Sequence, residues 1–192
     1  MEHRDEASIK KLIKETVAKN SANLSPADLK QQEDVLEKIY VEGKKPYEAM
    51  NISKDAIEFF YLNAFNLYNS GKYDAAIKIF FLLDMFDPTD GRFNYGIAAC
   101  HHMEKRYDEA IFVYNKCLFQ PPINPMIYYH LADCYLKTNR KREAIVMLGV
   151  CVKKTENDAA NSALHTRAQQ VYETLSKEIE EEANEPAESR KE

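Results

Sequence analysis

Residues 57–90 read IEFFYLNAFNLYNSGKYDAAIKIFFLLDMFDPTD, and the same pattern returns at 91–124 and 125–158 without insertion or deletion. Ala64 is followed in register by Ala98 and Ala132, and Ala76 by Ala110 and Ala144. Each of the latter three precedes an isoleucine: Ile77, Ile111 or Ile145. Phe80, Tyr114 and Leu148 share one later position, and Leu83, Cys117 and Cys151 share another. Small residues at fixed points let two helices cross closely, while bulky ones beside them fill the space.

A period of 34 residues with this pattern is that of the tetratricopeptide helix-turn-helix. The expected fold is all-α, a tetratricopeptide-repeat α-solenoid of three tandem helical hairpins with an N-terminal helical extension and a C-terminal capping helix. Turns inside the hairpins fall at Asn69-Ser70-Gly71, Glu104-Lys105-Arg106 and Thr138-Asn139-Arg140. Between hairpins, Asp87-Pro88-Thr89-Asp90 and Pro121-Pro122-Ile123-Asn124-Pro125 stop one helix and start the next, because proline lacks an amide donor and restrains its predecessor. Asn157 and Asp158 mark the third break.

Flanking segments are read from their own patterns. Residues 1–23 are polar, with a weak apolar stripe at Ile9, Leu12, Ile13 and Val17, either a short helix that docks in a dimer or a mobile extension. Residues 24–56 form a helix and linker: Ser25 caps, Pro26 occupies the first turn, and Leu29, Val35, Leu36 and Ile39 supply the stripe. Ser53 with Asp55 caps the next helix. The hairpins occupy 57–90, 91–124 and 125–158. A capping helix at 159–182 buries Leu164, Ala168, Val171, Tyr172, Leu175 and Ile179, because a solenoid cannot leave its last apolar face wet. Residues 183–192 read as a disordered acidic tail.

Composition narrows the function. A chain of 192 residues, 45% hydrophobic, is long enough for one folded domain with a real core. A formal charge of -5 provides no basic face for nucleic acid. No long apolar run predicts a membrane span or a signal peptide, so direct stable membrane binding is not expected and cytoplasmic residence is. Cys100 and Cys134 lie one period apart, as do Cys117 and Cys151, which reads as helix packing in a reducing compartment rather than a metal site. No nucleophile–base set, phosphate loop or paired-carboxylate signature supports an enzyme, and no cofactor is expected.

Right-handed stacking lines up the first helices of the units along a concave surface, with unit positions 2, 5, 9, 12 and 13 facing inward. Those positions supply Glu58, Tyr61, Phe65, Tyr68 and Asn69, then Arg92, Tyr95, Ala99, His102 and Met103, then Met126, Tyr129, Asp133, Leu136 and Lys137. Position 5 is tyrosine in all three units. Such a ladder suits an extended peptide, since a ring buries apolar side chains while its hydroxyl bonds the backbone. The other reading is that the rings pack on one another or against the amino-terminal helix. His101 reads as facing the helix pair and His130 as outward or semi-exposed.

The chain also resembles a particular group of such proteins. The residues that carry this are the run from Leu67 to Phe80, the segment Asp87-Pro88-Thr89-Asp90-Gly91-Arg92-Phe93-Asn94-Tyr95-Gly96-Ile97-Ala98-Ala99-Cys100, Arg106 to Ile111, and Tyr128 to Tyr135. They are similar to the class II chaperones of bacterial type III secretion, most of all the chlamydial branch. That resemblance implies a cytoplasmic chaperone that holds a short extended segment of hydrophobic translocator proteins, prevents premature association, and hands the client to a secretion-machine component. Matching the family's groove gives Tyr61, Phe65, Tyr68, Tyr95, His102, Tyr129 and Leu136, to which the inward unit positions add Arg92 and Asp133 as peptide-binding residues. A homodimer through the amino-terminal helical region is also implied, here carrying Leu29, Val35, Leu36 and Ile39. The competing class is a generic tetratricopeptide adaptor; those that clamp a terminal carboxylate use Lys, Arg and Asn, where this groove is mainly rings. A third is an accessory subunit of an enzyme.

Overall fold

The structure, a computed structural model, describes residues 5–19, 24–120 and 123–184. Of the expected tail at 183–192, residues 183–184 continue the last helix, while residues 185–192 and the Pro121-Pro122 stop lie outside the described residues. Helices α1 (Glu6–Lys19) and α2 (Pro26–Tyr40) come first, followed by the single turn α3 (Pro46–Ala49). The paired helices are α4 (Lys54–Asn69) with α5 (Tyr73–Phe86), α6 (Gly91–Met103) with α7 (Tyr107–Cys117), and α8 (Met126–Lys137) with α9 (Lys141–Thr155). After a short 3₁₀ turn, α10 (Ser162–Asn184) closes the series. Each helix of the stack packs chiefly on its chain neighbours, so the fold is a tetratricopeptide-type solenoid.

Local chemistry explains the boundaries. Ser25 accepts from the Asp28 amide while Asp28 accepts from the Ser25 amide, a complete capping box with Pro26 at the first helical position. Ser53 accepts from the Ala56 amide and Asp90 from the Arg92 amide. The three intra-hairpin turns share one geometry. Gly71, Lys105 and Asn139 each adopt positive φ, and the next residue's amide reaches back: Lys72 to Leu67, Arg106 to His101 and Arg140 to Tyr135. This is the Schellman closure; glycine adopts it without strain, whereas Lys105 and Asn139 are held there by the helices on either side.

The core follows the repeat. Ala64, Ala98 and Ala132 are fully buried where first helices meet second ones, as are Ala76, Ala110 and Ala144. All four cysteines are buried, and burial lifts the thiols of Cys100, Cys117 and Cys134 to about 12 and that of Cys151 to about 11. They are inert packing groups at neutral pH. Leu164, Ala168 and Leu175 bury the inner stripe of α10, with Val171, Tyr172 and Ile179 packed beside them. At the other end, Lys45 Nζ donates to Asp87 Oδ2 at 2.7 Å, tying the start of α3 to the end of α5. Burial alone would raise the Asp87 carboxyl, but bonds from Lys45 and Thr89 outweigh it and hold the group below the usual range.

Candidate functional site

Eight first-helix residues expected to face inward, Tyr61, Phe65, Tyr68, Arg92, Tyr95, Ala99, His102 and Met103, converge around a cavity of about 340 Å³. α4 contributes Tyr61, Phe65 and Tyr68, one or two turns apart; α6 contributes Arg92, Tyr95 and His102 at the same spacing. Tyr61 lies nearly parallel to Phe65, with centroids 6.5 Å apart, and tilts onto Phe80 and Phe93 at 6.0 and 6.1 Å. The Arg92 guanidinium sits 4.4 Å above the Tyr61 ring, close enough for a cation–π contact. Arg92 is held there by Asp90 at 2.8 Å and Glu58 at 3.0 Å. Of the position-5 tyrosines, Tyr61 and Tyr95 pack on neighbouring rings and also line the hollow.

The far wall is made by residues outside the expected set. His130, read as outward or semi-exposed, is of intermediate exposure and lines the cavity, stacked on Tyr114 with centroids 5.6 Å apart and a 15° interplanar angle. Its Nε2 lies 3.2 Å from Tyr95 Oη. Phe80, Gly96 and Tyr114 complete the lining. Phe80 and Tyr114 occupy the second-helix position read as pure helix packing; they form core and cavity floor together. Gly96 was the available signal, because a glycine inside a helix marks a close approach. A Cβ there would meet the Phe80 ring at 2.7 Å.

Three expected groove residues sit differently. Asp133 lies outside the lining but accepts from His102 Nε2 at 2.7 Å, so it positions a cavity residue. Tyr129 lies outside the lining, its ring 6.3 Å between centroids from that of His130. Leu136 faces a separate depression lined by Gln170, Val171, Thr174, Leu175 and Glu178, because α10 lies against the third unit at that height.

Electrostatics in the cavity are those of a desolvated, largely neutral site. Burial raises the Tyr95 phenol to about 12 and raises Tyr114 further, and among the described residues the Tyr114 hydroxyl has no hydrogen-bond partner. The bond from His102 holds the Asp133 carboxyl below its usual value. Burial, followed by the neighbouring His102, depresses His130 to about 4. An unfolded imidazole takes a proton near pH 6.5, whereas the folded ring resists until about 4, so the unfolded state binds more protons in that window. Stability from this group is complete above pH 6.5 and is lost as pH falls toward 4. A shift of this size corresponds to roughly 3 kcal/mol, or on the order of 5–10 °C in melting temperature. Thermal melts of the protein and of His130→Gln over that range will show the variant losing this part of the slope.

Comparison with known proteins places this architecture. A family model described as anaphase-promoting complex, cyclosome, subunit 3 matches residues 71–151. Over 64 residues the chain is 45% identical to low calcium response locus protein H of Yersinia pestis, a stretch spanning 33% of this chain and 38% of that relative. The solved structure of the type III secretion translocator chaperone SycD of Yersinia enterocolitica aligns at 32% identity with a TM-score of 0.65, covering 69% of this chain and 98% of SycD. The chain belongs to the type III secretion translocator chaperones. PcrH of Pseudomonas aeruginosa, solved with the chaperone binding region of PopD, aligns at 29% identity with a TM-score of 0.63 over 66% of this chain and 96% of PcrH. Among the described residues of this chaperone, no helix is long and apolar enough to cross a membrane.

Proposed function

We propose that this chaperone holds an extended apolar segment of a type III translocator against the hollow between α4 and α6, in the cytoplasm of a bacterium, until the client is handed to the secretion machine. The observation that carries this is the convergence of Tyr61, Phe65, Tyr68, Tyr95 and His102 on one cavity, with Phe65 still 45% exposed. Half-covered rings on a rigid frame offer apolar area at small ordering cost. Arg92 is already engaged by Glu58 and Asp90, so it does not serve as a clamp for a terminal carboxylate.

The work is binding, without catalysis or cofactor, and the active unit is a homodimer. Client burial at about 25 cal/mol per Å² of apolar surface is opposed by the ordering of a flexible segment, which leaves a reversible grip. Covering the segment keeps translocators from associating or inserting early. Co-expression with the translocators of the same secretion system is the test. The expected result is a soluble complex that elutes as one species in size exclusion; translocators that aggregate equally with and without the chaperone contradict the reading.

A further inference from the structure

Tyr61, Arg92 and Tyr95 line two hollows. One is the ring-walled cavity of about 340 Å³; the other is a chamber of about 580 Å³ that shares these three residues with it. A segment lying along them in the first hollow therefore continues into the second. The two differ in chemistry. The chamber adds Lys45, Lys54, Glu58, Asp87, Gln120 and Asn124, set where α5 and α7 end and where α4 and α8 begin.

Most of these polar groups are already engaged. Arg92 bonds Glu58 and Asp90, and Lys45 bonds Asp87, which also accepts from the Thr89 amide and hydroxyl. Gln120 donates from Nε2 to the Pro88 carbonyl at 2.8 Å, and its Oε1 accepts from Asn94 at 3.3 Å. Asn124 accepts from the Met126 amide through Oδ1 at 2.9 Å, which orients the side chain and leaves its Nδ2 unused. The ammonium of Lys54, exposed at the first residue of α4, has no hydrogen bond or ion pair among the described residues.

Three cations and three carboxylates line the chamber, so its formal charges balance and pairing decides what it accepts. Every carboxylate is held by Arg92 or Lys45, and both side-chain nitrogens left over are donors. A cation entering would have to break an existing pair, whereas an acid gains charge-assisted bonds without breaking one. We propose that the chamber reads an acidic side chain of the client, an aspartate or glutamate beside the apolar residues that occupy the ring-walled cavity, with Lys54 as its ion-pair partner. This rests on the client reading above and deepens it. The rings supply apolar area, and Lys54 sets the register of the segment and the choice of partner.

Calorimetric titration of the full-length protein tests it, with a translocator peptide whose binding requires Phe65. The peptide is acetylated and amidated so that no terminal charge takes part, and each residue flanking its apolar core is replaced in turn by Asp, Asn and Lys. At one flanking position Asp is expected to bind the wild type roughly three- to fivefold more tightly than Asn, the effect of one partly exposed ion pair. That gap is expected to narrow in about 0.5 M salt. Lys54→Gln is expected to bring the Asp and Asn peptides level, and Lys54→Glu to reverse the order so that the Lys peptide binds best. Melting is expected to stay unchanged in both variants, since Lys54 is exposed. A Lys54→Glu protein that keeps the preference for Asp, or a wild type indifferent to charge at every flanking position, overturns the proposal and leaves the cavity reading standing. If no translocator peptide requires Phe65, both are overturned.

Discussion

A Gly96→Ala variant is expected to melt roughly 5 °C below the wild type and to lose client affinity, although alanine is the better helix former. The added Cβ would lie 2.7–2.8 Å from three atoms of the Phe80 ring, itself 2% exposed and packed against Tyr61. Overpacking of this kind costs about 1–3 kcal/mol, and three simultaneous contacts put it at the upper end. The propensity gain of about 1 kcal/mol offsets part, which leaves a net loss of about 2 kcal/mol. Relief requires the Phe80 ring to move, and that ring lines the cavity, so stability and binding fall together. Gly149→Ala is the control: its Cβ meets only the edge of Tyr172 at 3.3 Å, which can shift. Differential scanning calorimetry of both variants decides the matter, and a Gly96→Ala melt at or above wild type contradicts the packing described.

The repeat was legible because helix crossings recur every period and tolerate little but small residues, so alanines and cysteines kept register through the whole stack. First-helix positions 5 and 12 place Tyr61, Tyr95, Tyr68 and His102 around one cavity in the first two units, whereas Tyr129 and Leu136 of the third lie outside it. The far wall was not legible. His130 reaches inward to stack on Tyr114 and meet the Tyr95 hydroxyl, contacts that depend on how two units stack rather than on either alone. Leu136 was displaced by α10, whose lie against the third unit no repeat rule specifies. The amino-terminal helices followed their caps, yet their packing was hidden, since the Gly43 turn sets the direction of α2.

The second large effect is expected at Phe65. Its ring is 45% exposed and stacked only on Tyr61, so truncation removes little native packing but takes away a broad apolar wall of the cavity. Aromatic anchors at the centre of an interface commonly contribute about 2 kcal/mol or more, equivalent to about 30-fold in affinity. Phe112, 67% exposed on α7 and absent from the cavity lining, is the matched control for losing an aromatic ring. The most direct measurement is a calorimetric titration of wild type, Phe65→Ala and Phe112→Ala with overlapping short peptides from the translocators of the same secretion system. One apolar peptide is expected to bind the wild type and Phe112→Ala alike and Phe65→Ala about 30-fold more weakly, with unchanged melting. Equal binding by Phe65→Ala, or a loss confined to Phe112→Ala, would place the client elsewhere on the chaperone.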